Sequence, residues 1–198
     1  QNAYNFVPTT NGSGNHRIYD GSGPSIQTAT QSVFIKPNGH NYYALREATT
    51  TGASIGFDFT DNSIIVEYST GGCTASNGKI EDYGNGWYRI SGTFSFATAT
   101  NNGFGLYAAA PTWTSGDVES VSWAGDGTSG AYIWGAQLSE GSLSPYIPTL
   151  ATAQTSPVLL PQGLTTGRDI TGVNLFENVR KQGALNLDGN SWAEVHDN

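Results

Sequence analysis

The side chains able to do acid–base, metal or nucleophilic chemistry are few and widely spaced in this chain. His16, His40 and His196 stand far apart, with no His-x-x-x-His spacing and no cysteine beside them. Transition-metal sites draw on close ligand spacings, so each histidine reads as a turn or surface residue and no metal ligand is assigned. Cys73, between Gly72 and Thr74, is the single cysteine and can form no internal disulfide. Nucleophilic catalysis needs a nucleophile, a base and an orienting group brought together. A strained elbow signature such as Gly-x-Ser-x-Gly is taken to be absent, and no serine or cysteine hydrolase is expected. Glycoside hydrolysis needs only two carboxylates at a set separation, and Asp58, Glu67, Glu81, Asp82, Asp117, Glu119 and Asp126 are available. None is framed by an aromatic-rich signature, so they read as the scattered carboxylates of an acidic domain. The expectation is a chain without catalysis.

A better-supported chemistry is ring stacking, in which a flat aromatic face meets the C–H face of a sugar and nearby polar groups take its hydroxyls. Trp113 stands in the turn-rich run Pro111-Thr112-Trp113-Thr114-Ser115-Gly116-Asp117. It is the first candidate ligand-binding residue, with Asp117 beside it. Tyr42, Tyr43 and Arg46, on an early strand, are second candidates, set against ordinary cross-strand packing. Trp87, Trp123 and Trp134 fall in strand patterns and read as sheet residues.

The elements that must position these residues follow from composition. Only 12% of residues are charged, and 26 of the 198 are glycine; an average soluble domain is roughly 25% charged. Aromatics hold at 12%. Few charges, many turn formers and enough rings to build a core describe short strands joined by tight loops. The net charge is −8, and the one tight basic pair is Arg180-Lys181. A nucleic-acid groove needs clustered cations, so DNA and RNA are excluded as expected ligands. No apolar run approaches the ~20 residues of a membrane helix, and no membrane insertion by a helix is expected.

Period-2 alternation marks the strands. In Trp87–Phe96, Tyr88, Ile90, Phe94 and Phe96 share one face. In Ala131–Leu138, Tyr132, Trp134, Ala136 and Leu138 do the same, which predicts a core sealed by Tyr88, Phe94, Tyr132 and Trp134. Further strands are expected at His16–Tyr19, Thr28–Lys36, Tyr42–Glu47, Ile55–Phe59, Ile64–Tyr68, Lys79–Tyr83, Phe104–Ala109 and Val118–Trp123. About ten strands at this spacing predict an all-β antiparallel sandwich or jelly roll. Asn85-Gly86 supplies the positive φ of a tight hairpin, and Pro37-Asn38-Gly39 marks another turn.

Two stretches go further: GNGWYRIS at Gly84–Ser91 and GDGTSGAYIWGAQLSEGSLSPYIPT at Gly125–Thr149. Together they resemble carbohydrate-binding-module-like jelly rolls of bacteriophage tail, fibre and other virion proteins, over about Ser32 to Thr149. The resemblance implies a non-enzymatic virion protein (fibre, tail or capsid decoration) whose partners are a host cell-surface glycan and other virion proteins. By analogy with fibre proteins it implies a homo-oligomer, with a trimer expected. The alternatives are the carbohydrate-binding module of a secreted polysaccharide-degrading enzyme, or a bacterial surface adhesin. Jelly rolls of this look often carry a structural calcium ion. Asp20, Asp58, Asp61 and Asp126 lie near turns, but none forms an Asp-x-Asp-x-Asp-Gly loop. Calcium therefore stays open, and no other cofactor is expected.

The chain opens in a polar stretch from Gln1, as a segment of a longer polypeptide would. The jelly roll is expected over residues 1–149, followed by a Pro- and Gly-rich extended connector over 150–170. Residues 171–198 end in GALNLDGNSWAEVHDN, which resembles the opening strands of a laminin-G-like, concanavalin-type sandwich. That segment is expected to begin a second domain or to act as a docking tail.

Overall fold

A computed structural model describes residues 3–12, 15–49 and 51–147. The chain divides into two compact units, Gln1–Ser144 and Pro145–Asn198. The first contains every strand described below. Of the second, only residues 145–147 are described, so the expected connector (150–170) and second-domain start (171–198) lie outside the described residues.

The first unit is an all-β antiparallel sandwich with jelly-roll-like strand order. Its strands are β1 (Tyr4–Phe6), β2 (His16–Asp20), β3 (Ser25–Asn38), β4 (Tyr42–Arg46), β5 (Ser54–Asp58), β6 (Ser63–Tyr68), β7 (Cys73–Gly84), β8 (Trp87–Asn101), β9 (Phe104–Ala108) and β10 (Gly130–Glu140). Five pair in the order β1-β10-β3-β8-β7, called sheet A here, and five in the order β2-β9-β4-β5-β6, called sheet B.

Inward residues of both sheets form the core: Val33 and Ile35 of β3, Tyr43 and Leu45 of β4, Ile55 and Phe57 of β5, Ile90 and Phe94 of β8, and Leu106 of β9. Tyr88 and Phe96 pack against the same cluster, as the alternation of β8 predicts. The β7–β8 hairpin turns on Asn85 (φ 53°) and Gly86 (φ 76°), the paired left-handed residues that match strand twist.

The facing of β10 departs from expectation. Ala131 and Ile133 enter the core, while Tyr132 is 39% exposed and Trp134 lies on the outer side, opposite Phe34 of β3. A bulge between Trp134 and Gln137, with Gly135 at φ 64°, then resets the alternation. Leu138, opposite Gln31, therefore comes back to the core side. One apolar stripe drawn across a bulge mixes two faces, so Tyr132 and Trp134 do not seal the core.

The segment Val118–Trp123 is not a strand. It holds a 3-10 turn at Val118–Ser120, whose Asp117 N-cap accepts a hydrogen bond from Glu119 N; a side-chain cap of this kind competes with extended pairing. In its place β1, too short to show a period, pairs with β10 through Tyr4↔Ile133, Asn5↔Tyr132 and Phe6↔Ala131.

Candidate functional site

Four of the five candidate residues come together on the outer face of sheet B, where they hold down a loop. Strand alternation puts Tyr43 on the opposite side, fully buried in the core, where burial raises its phenol pKa far above the ordinary value. Trp113 is 2% exposed and packs in a second apolar cluster with Ala44, Tyr107, Ala109, Ala110 and Val118, against which half-buried Tyr42 also rests. Its ring fills the space above Gly56, where an added Cβ would sit 2.4 Å from Trp113 Cζ3. The loop position of Trp113 suggested an exposed platform. The loop folds back instead, because sheet B carries small residues at Ala44 and Gly56, and the ring is no stacking face.

Polar groups complete this clasp. Arg46 Nε and Nη2 donate to the two Asp117 carboxylate oxygens at 2.8 and 2.9 Å, a fork-to-fork pair of the stronger kind. Arg46 Nη2 also lies 3.4 Å from Glu119 Oε2. Tyr107 donates its hydroxyl hydrogen to Glu119 Oε1 at 2.7 Å, and Arg17 pairs with the same carboxylate. Burial opposes the charge on Asp117, yet the hydrogen bonds from Arg46 and Glu119 N outweigh it and keep the carboxylate below its usual range. Burial and the bond to Glu119 push the Tyr107 phenol up to about 12. An Asp117 carboxylate bonded to Arg46 in this way is held ionised, the opposite of what a general acid requires.

The segment Gly52-Ala53-Ser54-Ile55-Gly56 has the Gly-x-Ser-x-Gly spacing of a hydrolase nucleophile, so the expectation that this signature is absent is wrong. Here Ser54 opens strand β5 and is fully buried. It donates to Gly52 O and accepts from Val118 N, so both partners are backbone groups. The serine ties the covering loop to sheet B.

The turn aspartates are similarly occupied. Asp20, Asp58, Asp61 and Asp126 each accept a backbone N–H two residues on, from Ser22, Thr60, Ser63 and Thr128. Among the described residues no three His, Cys, Asp or Glu side chains come together to hold a metal.

A second cluster lies on the outer side of sheet A, which sequence reasoning did not single out. Phe34, outward on β3 and 5% exposed, is stacked by Trp134 at 4.4 Å and 13° and met edge-on by Tyr83 at 5.0 Å. The Arg89 guanidinium lies 5.5 Å from the same ring and donates to Ser32 Oγ and Ser144 O at 3.0 and 2.9 Å. Tyr83 and Tyr132 are 55% and 39% exposed at the margin of this cluster.

Farther along the same face the outward residues become Thr28, Thr30, Ser91, Thr93 and Ser95. Residues 141–144 cross them as a strap. Gly141 N donates to Thr28 O at 2.9 Å, Thr30 Oγ1 donates to Gly141 O at 2.6 Å, and Ser144 Oγ meets Ser139 Oγ at 2.8 Å. Between strap and β7 lies a groove of about 570 Å³. A larger cleft, about 910 Å³, opens beside β1 and β2 and is lined by Tyr4, Phe6, Ile18, Ile133 and Trp134. None of its lining residues is charged, so it suits apolar contact.

The geometry also explains the two stretches that carried the resemblance. Their arginine and their exit segment meet through the Arg89–Ser144 bond, and their strands, β8 and β10, flank β3. In this chain those residues set the route by which the backbone leaves the sandwich. Compared with known proteins, the chain matches no family model and no curated sequence.

Proposed function

We propose that this chain is a non-enzymatic structural and adhesion component of a bacteriophage virion whose sandwich attaches the particle to a host-surface glycan through the outer face of sheet A. The supporting observation is the Trp134–Phe34–Tyr83 cluster, exposed at its Tyr83 margin, carried on paired strands and continuing into a hydroxyl-lined groove. Rings supply the apolar contact of a sugar's C–H face, and side-chain hydroxyls take its polar edge. The paired carboxylates at the sheet B clasp support a reading without catalysis. The resemblance of Gly84–Ser91 and Gly125–Thr149 supports the virion setting, in which weak sites repeated in a homo-oligomer, taken as a trimer, act by avidity.

The test is a glycan array probed with the whole chain and with Trp134→Ala. Binding that falls at least about tenfold in the variant, roughly 1.4 kcal/mol, with melting temperature within a few degrees, supports the reading. Failure of the whole chain to bind any array glycan sinks it.

A further inference from the structure

Within that face, the groove beneath the strap differs chemically from the aromatic cluster. Its floor is hydroxyl: Thr28, Ser91, Thr93 and Ser95 line it, with Lys79 at one side and Ser142 on the strap. Ser91 is only 2% exposed, and its hydroxyl has no hydrogen-bond partner among the described residues. The same holds for the hydroxyls of Thr28, Ser95 and Ser142, whereas Thr93 is bonded to Thr30 at 2.9 Å. A serine hydroxyl that opens on a groove and has no protein partner is free to bond water or a ligand. The wall opposite β7 is held by the strap's bonds to Thr28, Thr30 and Ser139, so the groove exists before any ligand arrives and binding carries little ordering cost.

Charge decides what kind of ligand fits. Lys79 is the one charged residue lining the groove, and it is neutralised by Glu81 at 2.7 Å. Of the other cations on this face, Arg89 is 4% exposed and bonded to Ser32 and the Ser144 carbonyl, and Lys36 stands at the far end of β3, opposite Tyr132; neither lines the groove. An acidic sugar in the groove would meet one lining cation, Lys79, already paired with Glu81, and would approach a chain of net charge −8 against its long-range field.

We infer that the strap groove is a subsite for an uncharged, hydroxyl-rich oligosaccharide, held edge-on by Thr28, Ser91 and Ser95, and that acidic glycans are rejected. This rests on the glycan-binding reading above and names the ligand class it takes.

The experiment titrates the whole chain by calorimetry with short neutral oligosaccharides of glucose, mannose and galactose. Oligogalacturonate and sialyl-lactose serve as acidic probes, each at low and high salt. A neutral probe should bind with the same affinity at both salt levels, since uncharged contacts are not screened, and the acidic probes should not. Thr28→Val with Ser95→Ala should weaken binding about tenfold, the loss of one to two hydrogen bonds. Ser142→Trp, an exposed change that blocks the groove without touching its floor, should abolish it; melting curves check that each variant is folded. Preference for an acidic probe, or binding that collapses with salt, overturns the inference. So does neutral binding that is lost in Trp134→Ala yet unchanged in all groove variants; in that case the attachment reading stands. Absence of binding to every probe and to the array overturns both.

Discussion

The covering of sheet B by Trp113 is tested most sharply at Gly56. A methyl added there would stand 2.4 and 2.9 Å from Trp113 Cζ3 and Cη2 and 3.1 Å from Ile65 Cβ, well inside contact distance. Glycine to alanine in a strand interior is ordinarily worth about 0.5–1 kcal/mol of stability. Overpacking costs about 1–3 kcal/mol, so Gly56→Ala should destabilise by about 1–2 kcal/mol net. Trp113→Ala removes a ring that is 2% exposed and should cost about 3 kcal/mol or more. In the Trp113→Ala background the added methyl meets a cavity instead of a ring, and Gly56→Ala should become neutral or stabilising. The double-mutant coupling is then about 2 kcal/mol, large for any pair of residues. Urea unfolding followed by far-ultraviolet circular dichroism reads all four proteins without relying on tryptophan emission. Equal costs of Gly56→Ala in both backgrounds would refute the packing argument. So would a Trp113→Ala protein that keeps full stability but loses glycan binding, for the ring would then be a ligand platform after all.

Two further perturbations probe the clasp and the sandwich end. Arg46→Met strips both Asp117 oxygens of their bidentate partner and, among the described residues, leaves Oδ1 with the Glu119 N–H alone and Oδ2 without a protein donor. It should cost about 1–3 kcal/mol and speed proteolysis within residues 109–121 relative to the rest of the chain, read by limited digestion and mass spectrometry. His40 is stacked on Trp123 at 4.7 Å. Burial chiefly, with His16 adding in the same direction, holds its pKa below the ordinary value against bonds with the backbone of Tyr42 and Ala109 and the field of Asp126. A depressed histidine favours the unfolded state once protons bind, so its contribution is full above the unfolded value of about 6.5 and is lost as pH falls from there through the lower folded value. The melting temperature should drop between neutral pH and about pH 5 by more in the parent than in His40→Gln. Parallel curves would remove His40 from the acid response.

The strands were legible where alternation ran unbroken. Trp87–Phe96 showed its inward set directly, because β8 pairs along most of its length without interruption of that stripe. Ala131–Leu138 misled because a bulge changes parity while the sequence shows only another glycine. Val118–Trp123 alternated well enough to read as a strand, but a capping aspartate redirected it. The candidate site was legible in part. Tyr42, Arg46, Trp113 and Asp117 do meet, and Arg46 and Asp117, 71 positions apart, form a bidentate pair. Their shared task, fastening a loop, depends on small residues at Ala44 and Gly56 beneath the ring. The outer face of sheet A escaped notice because Phe34 sits in an apolar run whose two faces look alike in one dimension.

Local chemistry alone determined an all-β architecture: low charge, abundant glycine and period-2 runs leave pairing into sheets as the way to bury these rings. It also set the hairpin at Asn85-Gly86, since those residue types reach left-handed backbone at little cost. Which rings face water was decided only in three dimensions. Exposure belongs to the pairing register and to the loop that closes over a surface, and both join residues distant in the chain. For that reason Trp113, expected outside, is buried, and Trp134, expected in the core, stacks on Phe34 at the outer side of sheet A.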